Sequence, residues 1–537
     1  MNRKPEEQQR YPRRWLCIAQ AFPPVNRSGT HRTLGFVKHL DRLGWQATVV
    51  TAQPHNDPID ATLLADVPAS ASVRRTAWAD PVASLKHLFG FRDTGEDHRE
   101  PARQQVEANR PPGRSLREWL TRLMFTPDSR TGWILPAVRA SMAAIRKCRP
   151  DVIYSTSPCM SAHLAALLVR LRTGLPWVAD FRDPWRDNPF RQSGFASLEW
   201  WDGWLERRVL RNASHIVCNT PTMRQCLCAR MPLLAAKSTT ILNGFDLDSL
   251  DGLVPVRTGA PGDFIFMHCG QFYGPRSPAV WFRALRRLLE ESPDLARRAR
   301  LALIGPDLYK GEHLKELARQ ADVADAVIVL GLRTHAEALA RMAGSDALLL
   351  AGADGPGSDL QVPNKLFEYV AIGKPILATA AANSPIITIL GTILGKMHAP
   401  ALICPPDDDA AVARNMTLLM THDDAAQDHV AHNHHIGDDD ILADDGATHD
   451  DDVQEAWRDH LSVVDRAARA TELASIFERL CQPSRPRRGC HAFTPKAGKR
   501  ALWQSRQPQP PLPPGEGWGE GTYQAPNPRR ARDPSRV

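Results

Sequence analysis

Short apolar runs that alternate with amphipathic helical segments are the feature that most constrains the fold of this chain. The pattern predicts a strand at 15–22, a helix at 31–43 and a second strand at 45–51. A strand, a helix and a further strand in this order form a βαβ unit, which implies a parallel sheet. Residues 54–114 are polar and rich in proline, and we expect them to form a long excursion from this sheet.

The same alternation continues and then begins again after a Gly/Pro-rich connector at 253–263. In the first stretch we predict strands and helices at 151–156, 162–172, 177–181, 198–212 and 215–219. In the second stretch we predict strands, separated by helices, at 264–268, 301–304, 327–330, 347–350 and 376–379. We therefore predict an α/β fold of two doubly wound Rossmann-like domains, 14–250 and 260–420, facing each other across a ligand-binding cleft.

The composition changes sharply after the second domain. A helix at 410–420 precedes an acidic, His-rich insertion at 421–464, and a last helix is predicted at 465–481. The insertion contains histidines that would suit a metal: His422, His429, His432, His434 and His435. A disordered acidic insertion fits the composition better, and we expect the Pro-, Gly- and Arg-rich tail at 482–537 to be disordered as well.

Length, charge and cysteine content exclude several classes of protein. With 43% hydrophobic residues, the 537-residue chain can build two or three folded cores. No apolar run is long enough to span a membrane, and the first residues lack the apolar core of a signal peptide, so we expect a cytoplasmic protein. The ten cysteines form no CxxC pair, which favours reduced thiols over zinc ligands. The net charge of +7 would suit anionic lipids or phosphorylated substrates, whereas nucleic acid has no support beyond charge.

Residues 361–377 carry the clearest local indication of function. A helix is predicted to open near Asn364, where unpaired backbone N–H groups and the positive end of the helix dipole suit a diphosphate. Glu368 lies one turn further on, where its carboxylate can accept hydrogen bonds from the hydroxyls of a ribose. Gly373 ends the helix, and Pro375 prevents it from restarting. An amphipathic helix with an ordinary solvated glutamate is the alternative.

Five segments, in this order, resemble the retaining, two-domain GT-B glycosyltransferases of family four. They are the Phe22-Pro23-Pro24 loop with Ser28-Gly29, then 179–185, 243–246, 268–278 and 361–377. The resemblance covers roughly 14–420 together with the last helix. It implies transfer of a sugar, with retention, from a nucleotide-diphosphate sugar to a saccharide or lipid-linked hydroxyl acceptor in cell-surface polysaccharide or glycolipid biosynthesis. It also implies that neither a metal nor another cofactor is needed.

The resemblance implies a donor site built from both domains. In the family, the loop that contains Ser28 and Gly29 faces the donor diphosphate, and the missing Cβ lets the backbone approach it. The family's Gly-Arg pair is here Gly270-Gln271, while Arg276 lies close to the position of a phosphate-binding lysine and can bind phosphate bidentately. The remaining predicted donor contacts are Asn364, Lys365, Leu366 and Glu368. Without the resemblance, Gly29 is an ordinary turn glycine and Arg276 a surface cation.

The family's pair of glutamates is only half present. Glu368 matches the second glutamate, and Leu360 occupies the place of the first. The first glutamate commonly contacts the donor sugar, so we expect different contacts here, with Asp354 or Asp359 as substitutes. Together with Gln271, this departure leaves open a non-catalytic relative that binds the donor without turnover. A nucleotide-sugar 2-epimerase of related fold, which releases free nucleotide without an acceptor, is the other alternative.

On the acceptor side, the resemblance points to a histidine and to the end of a strand. His163 lies at a helix start where the resembled enzymes often carry an active-site histidine. Asp180, Arg182 and Asp183 lie at the end of a strand that should point into the cleft, and they are predicted to hold acceptor hydroxyls. The predicted catalytic residues are thus His163, Asp183 and Arg276. A histidine that only caps or packs, and a structural Arg182–Asp183 ion pair, remain open as alternatives.

Residues 198–208 combine tryptophans and arginines on a predicted helix. Such a helix can rest on a membrane surface, where lipid-linked acceptors are found, and would give the protein peripheral contact with the inner membrane face. Packing of the tryptophans in the core, with a solvated arginine face, is the favoured interpretation.

Overall fold

Two parallel sheets organise the chain. The computed structural model describes residues 13–55, 57–78, 116–186, 195–352, 360–397, 401–433 and 461–482. In the first domain the strands are β1 (Arg13–Ile18), β2 (Trp45–Ala52), β3 (Ser72–Thr76), β4 (Val152–Thr156), β5 (Trp177–Phe181), β6 (His215–Cys218) and β7 (Ser238–Thr240). Its helices are α1 (Ser28–Arg42), α2 (Leu116–Met124), α3 (Ile134–Cys148), α4 (Ser161–Thr173), α5 (Ala196–Asn212) and α6 (Pro221–Arg230).

The second domain repeats this construction. Its strands are β8 (Phe264–Cys269), β9 (Ala299–Ile304), β10 (Leu308–Tyr309), β11 (Glu312–His313), β12 (Val327–Gly331), β13 (Ala347–Ala351), β14 (Ile376–Thr379) and β15 (Ala401–Cys404). The helices are α7 (Ala279–Glu291), α8 (Pro293–Ala296), α9 (Leu314–Gln320), α10 (His335–Ala343), α11 (Lys365–Ile372), α12 (Pro385–Met397), α13 (Asp409–Asn433) and the final α14 (Arg466–Cys481).

The strand order of each sheet reverses beside its first strand. Within the described residues, the first sheet has the order β3-β2-β1-β4-β5-β6-β7 and the second has the order β12-β9-β8-β13-β14-β15. Such a reversal leaves a crevice at the carboxyl ends of the two strands that flank it, here β1 and β4, and β8 and β13. The loops that follow these strands lead into the segments that hold the predicted site. The predicted fold of two doubly wound Rossmann-like domains is therefore confirmed.

Several strands and helices escaped the sequence pattern, among them β10, β11 and α12. β3 reads SVRRT and has no fully buried residue, so it lacks the apolar run that marks a strand. β7 has three residues, and β15, α3 and α6 were not expected. The predicted helix at 410–420 continues to Asn433, into the predicted insertion, while 434–460, 79–115 and the tail beyond 482 lie outside the described residues. None of the helices described here is both long and apolar enough to cross a bilayer.

The last helix returns to the first domain. α14 begins where predicted, with Asp465 as its N-cap accepting a hydrogen bond from the Ala467 N–H at 2.9 Å. Its Phe477 packs against Trp15 and Trp45, with ring centroids 5.6 and 5.2 Å apart. A Cβ on Gly244 would lie 2.9 Å from the Val464 carbonyl oxygen, and the neighbouring Phe245 N–H donates to this oxygen at 2.7 Å. The 243–246 segment is therefore the point at which the returning chain packs against the link between the domains.

A buried ion pair ties helix α1 to strand β5 in the first domain. The Arg32 guanidinium donates to both carboxylate oxygens of Asp180, at 2.9 and 2.8 Å, and neither side chain is more than 4% exposed. Asp180 also accepts hydrogen bonds from the Tyr154 hydroxyl at 2.6 Å and from the Thr156 hydroxyl at 2.9 Å. Burial alone would raise the pKa of Asp180, but Arg32 and the hydroxyl donors outweigh it and lower that pKa. The pair therefore stays ionised in the core.

We expect Asp180→Asn to lower the free energy of unfolding by about 3–5 kcal/mol, because the buried Arg32 charge loses its counter-charge. Chemical denaturation at pH 7 measures this loss. The matched control is Asp248→Asn, which removes a half-exposed carboxylate that pairs with Arg42 and Lys38. It should cost about 0–1 kcal/mol, because Lys38 keeps its pair with Asp246. Equal, small losses in the two variants would show that the buried pair does not hold the domain together.

Candidate functional site

The first domain contributes a buried arginine that lies against the start of α1. Ser28 and Gly29 are the first two residues of this helix. A Cβ on Gly29 would lie 2.8 Å from the Nη1 atom of Arg182, so the glycine lets the guanidinium approach the first helical turn. Arg182 is 4% exposed, and its Nε and Nη1 atoms have no hydrogen-bond partner among the described residues. Burial lowers the pKa of Arg182, while the Asp183 carboxylate acts in the opposite direction.

In the second domain, two glycines shape the backbone at the ends of β8 and β9. Gly270 and Gly305 both have a φ of 144°, a region that other residues rarely adopt. A Cβ on Gly305 would collide with the Gly270 carbonyl oxygen, and a Cβ on Gly270 would lie 4.0 Å from the Cε atom of Lys365. Gln271 follows and is half-buried. The predicted donor residues Gly270 and Lys365 are thus brought together.

Arg276 is buried rather than a surface cation. A tight turn pairs its backbone with that of Tyr273, through hydrogen bonds of 3.1 and 3.0 Å. Its Nη1 donates to the Tyr273 hydroxyl, and the guanidinium lies 5.0 Å from the centroid of that ring. Burial lowers the pKa of Arg276 to about 10, and the Asp183 carboxylate opposes that shift. Asp183 belongs to the first domain, so the predicted catalytic residues Arg276 and Asp183 influence each other across the domain boundary. Tyr273 was missed because an aromatic residue in a loop carries no distinctive sequence signal.

The start of α11 also links the two domains. Asn364 is its N-cap residue and makes no side-chain cap; instead its Oδ1 atom accepts a hydrogen bond from the side-chain amide of Asn243. Leu366 was predicted as a donor contact, but its side chain is fully buried in the core of the second domain. Its N–H donates to the Pro363 carbonyl at 3.1 Å. The helical period turns Leu366 inward, so its side chain belongs to the core.

Glu368 is held in a charged cluster that both domains share. Its Oε2 atom lies 3.0 Å from Lys365 Nζ, and its Oε1 atom lies 3.8 Å from His335 Nε2. The His335 ring in turn lies 4.9 Å from the ring of His31, which belongs to the first domain. Burial alone would raise the pKa of Glu368, but Lys365 and His335 outweigh it and hold that pKa well below its usual range. Glu368 is 8% exposed, so the alternative of an ordinary solvated glutamate is wrong.

His163 and Asp180 are enclosed in the first domain. The Nδ1 atom of His163 lies 2.8 Å from the Ser155 hydroxyl, and its ring stacks on Phe181 with the centroids 4.5 Å apart. His163 has no exposed surface, and burial lowers its pKa to about 3. Both carboxylate oxygens of Asp180 accept hydrogen bonds inside the fold. This geometry favours packing and structural roles over direct contact with a sugar or an acceptor.

The place of the missing family glutamate lies at another contact between the domains. Leu360 is 5% exposed, and its carbonyl accepts a hydrogen bond from the Thr220 hydroxyl at 3.3 Å. The proposed substitutes Asp354 and Asp359 lie outside the described residues. Across the described ranges, no group of three or more His, Cys, Asp or Glu side chains is arranged to hold a metal ion.

The tryptophans of α5 are only partly packed. Trp200 is 63% exposed and Trp201 is 37% exposed, while the rings of Trp201 and Trp204 stack 4.9 Å apart. The Arg208 guanidinium lies 5.0 Å from the Trp204 ring. The favoured expectation of core packing is therefore wrong for Trp200 and Trp201.

Two family models match most of the described chain, and solved structures share its fold. Residues 96–249 match Glycosyltransferase Family 4, and residues 265–422 match Glycosyl transferases group 1. No curated protein matches the chain significantly.

Three solved structures illustrate the shared fold. Sucrose-phosphate synthase from Thermosynechococcus elongatus is 14% identical, with 87% of this chain and 99% of that chain covered and a TM-score of 0.55. α,α-Trehalose 6-phosphate synthase from Burkholderia multivorans is 12% identical, with 87% and 99% covered and a TM-score of 0.54. A trehalose-6-phosphate structure from E. coli, bound with UDP-2-fluoro glucose, is 11% identical, with 88% and 99% covered and a TM-score of 0.52. At these identities the likeness shows the fold alone.

The buried His163 makes stability depend on pH. An unfolded histidine has a pKa near 6.5, and the folded pKa is about 3, so the unfolded state binds the additional proton as the pH falls. Between pH 7 and pH 5 this residue should therefore cost about 2 kcal/mol of unfolding free energy. We expect His163→Asn to flatten that part of the pH dependence, as measured by chemical denaturation at pH 5, 6 and 7. His313→Asn is the control, because its side chain is 68% exposed. An unchanged pH slope in His163→Asn would contradict the assignment.

Proposed function

We propose that this chain, which belongs to the GT-B glycosyltransferases with a Family 4 first domain and a group 1 second domain, moves a sugar from a nucleotide-diphosphate sugar to a hydroxyl acceptor. One observation carries the proposal. Arg182 and Arg276 are 4% and 8% exposed, and guanidinium nitrogens of both have no hydrogen-bond partner within the described ranges. Burying a charged side chain costs free energy unless an opposite charge pairs with it. A diphosphate between the domains supplies that charge.

The balance of charge around these residues supports an anionic ligand. Three cations, Arg182, Arg276 and Lys365, act on two carboxylates, those of Asp183 and Glu368. The start of α11 adds the positive end of a helix dipole. Lys365 is partly neutralised by Glu368, whereas Arg182 and Arg276 share the Asp183 carboxylate as a counter-charge. Asp180 also acts on Arg182, but it is already paired with Arg32. The net charge of the three cations and two carboxylates is positive, which suits the two negative charges of a diphosphate.

Each residue has a distinct role in the proposed reaction. Arg276 and Lys365, with the start of α11, stabilise the departing diphosphate by preorganised electrostatics. Gly29 lets the Arg182 guanidinium lie against the start of α1, and Gly270 lets the backbone of the second domain approach the diphosphate. Ser28, Gln271 and Asn364 complete the proposed diphosphate contacts. Glu368 stays ionised and accepts hydrogen bonds from the ribose hydroxyls. We retain these as donor contacts, without the Leu366 side chain.

On the acceptor side we retain Arg182 and Asp183. Burial raises the pKa of Asp183, which makes its carboxylate a better hydrogen-bond acceptor for a hydroxyl than an ordinary aspartate. We assign Asp180 and His163 to the support of this strand end, because both are enclosed behind it. Asp180 holds the end of β5 through Arg32, and the ring of His163 holds Phe181, the residue before Arg182.

Retention and independence from metal ions are part of the same proposal. Retention follows from the likeness to family four, in which the sugar keeps its anomeric configuration. Independence from metals is supported by the buried cations, which can neutralise the diphosphate themselves. A 2-epimerase would release free nucleotide from the donor without an acceptor, and a non-catalytic relative would bind the donor without turnover. Both alternatives share the donor site and separate only in the products.

We expect one nucleotide sugar among UDP-glucose, GDP-mannose and ADP-glucose to raise the melting temperature of the purified chain, equally with and without EDTA. At a hundredfold excess over its dissociation constant, a ligand stabilises by about 2.7 kcal/mol. Glu368→Ala and Arg276→Ala should both abolish the shift, because they remove the ribose contact and a diphosphate contact. Arg286→Ala is the matched control, since this second-domain arginine is 48% exposed and pairs with Glu290.

The products formed from the bound donor then distinguish a transferase from a 2-epimerase and from a non-catalytic relative. Free nucleotide that appears only when a hydroxyl acceptor is added indicates a transferase, and the proton coupling constant of the new anomeric centre reports retention. Free nucleotide without an acceptor indicates the epimerase, and no product indicates the non-catalytic relative. A chain that none of the nucleotide sugars stabilises would refute the proposed donor site.

We further propose that the acceptor is lipid-linked and that the first domain contacts an anionic membrane surface on its cytoplasmic side. Trp200 on α5, Leu171 on α4 and Leu120 on α2 are 63%, 64% and 48% exposed. α2 lies beside the start of α5, because the Trp119 indole donates to the Ser197 hydroxyl at 3.0 Å. Arg208 on α5 supplies positive charge on the same helix. Exposed tryptophan and leucine with arginine suit a lipid interface.

The double variant Trp200→Ser/Trp201→Ser should bind more weakly than the parent chain to vesicles of phosphatidylcholine with phosphatidylglycerol, because it loses the exposed aromatic surface. Vesicle co-sedimentation at low salt measures this binding. Leu332→Ser is the matched control, since it removes an apolar side chain that is 66% exposed on the second domain. Binding that is equal in the parent and the double variant would rule out this surface.

A further inference from the structure

One buried histidine of the second domain is not used by the roles assigned above. His268 lies in β8, immediately before Cys269 and Gly270, and is 7% exposed. Its Nδ1 atom lies 2.9 Å from the carbonyl oxygen of Leu349 in the neighbouring strand β13. Its ring stacks on Phe272, with the centroids 4.3 Å apart and the planes inclined by 17°. Two contacts therefore fix the position and orientation of the ring.

These contacts also fix the hydrogen-bonding character of the ring. Burial lowers the pKa of His268 to about 4; Lys365 and Arg276 act in the same direction, and the Leu349 carbonyl opposes it. The ring is therefore neutral at pH 7 and carries one proton. A carbonyl oxygen only accepts hydrogen bonds, so this proton is on Nδ1 and is donated to Leu349. The Nε2 atom is consequently an obligatory acceptor.

The Nε2 atom lies beside Gly270, one of the predicted donor residues. It is buried and has no hydrogen-bond partner in the part of the chain that the structure describes. A Cβ on Gly270 would lie 3.7 Å from this atom and 4.0 Å from the Cε atom of Lys365. The space that a side chain at position 270 would fill therefore adjoins both the imidazole of His268 and the side chain of Lys365. A buried acceptor without a partner costs free energy that a ligand with a hydrogen-bond donor recovers.

The chemistry of Nε2 excludes one part of a nucleotide sugar and selects another. A diphosphate at neutral pH has acceptor oxygens only, so it cannot satisfy a lone pair and would be repelled by it. A sugar hydroxyl can donate. We propose that His268 Nε2 accepts a hydrogen bond from a hydroxyl of the sugar to be transferred, and that it thereby contributes to the choice of donor sugar. This inference rests on the proposed function, and it supplies a donor-sugar contact in a chain that has Leu360 in place of the family's first glutamate.

The test compares nucleotide sugars with the corresponding nucleotides in matched variants. The probes are UDP and UDP-glucose, GDP and GDP-mannose, and ADP and ADP-glucose, with dissociation constants measured by calorimetry. His268→Phe keeps an aromatic ring but removes the acceptor, while His268→Gln can place an amide oxygen near the same position. We expect His268→Phe to bind the preferred nucleotide sugar about tenfold more weakly, and to bind the free nucleotide as the parent does. His268→Gln should recover part of the loss.

Each outcome of this experiment decides the inference. If His268→Phe weakens the binding of the free nucleotide and of the nucleotide sugar by the same factor, the inference is overturned. The lost contact would then be to the nucleotide, or the substitution would have disturbed the fold. An unchanged affinity for the nucleotide sugar would overturn it as well. If the parent binds nucleotides but gains nothing from the sugar, the inference fails while the nucleotide site stands. If the parent binds none of the probes, the proposed function fails and the inference falls with it.

Discussion

A carboxylate without any exposed surface, that of Asp180, holds the site-bearing end of the first domain in place. Arg32 binds it with two hydrogen bonds and also donates to the carbonyl oxygens of Ile241 and Leu242, where the chain leaves the domain. One guanidinium thus joins α1, β5 and the link to the second domain. Because Arg182 comes two residues after Asp180, the same contact sets where the buried arginine meets Gly29. The proposed donor site therefore depends on an ion pair that is enclosed within the first domain.

The site itself is incomplete in charge and in hydrogen bonding, and the two deficits differ in kind. Among the described residues, Arg182 and Arg276 present donors without acceptors, which an anion satisfies, whereas His268 presents an acceptor without a donor, which a hydroxyl satisfies. A nucleotide sugar carries both groups, close together in one molecule. Lys365 and Glu368 are already paired and need less from a ligand. The buried donors and acceptors that lack partners thus indicate which chemical groups a ligand must carry.

Sequence reasoning found the elements that carry an uninterrupted local pattern and missed what depends on distant partners. β5 and β14 were predicted to the residue because apolar runs between turn signals mark buried strands. Glu368 was singled out from its place in a helix, whereas the resemblance placed Leu366 among the donor contacts although its side chain lies in the core. A family resemblance does not show which way a side chain faces. Asp180 was predicted as an acceptor contact, because the sequence does not show that Arg32, 148 positions away, is its ion-pair partner. The tautomer of His268, with its proton on Nδ1, depends on a carbonyl oxygen 81 positions away and could not be foreseen from the sequence.

The return of α14 to the first domain bears on how the chain assembles during synthesis. Trp15, Trp45 and Tyr154 emerge early, yet Phe477, which packs against all three, is made only after the whole second domain. Until then the first domain has an open aromatic face, so it cannot complete its core on leaving the ribosome. Large proteins commonly fold domain by domain, from the first to the last. Here the final segment closes the first domain, and the two domains mature together.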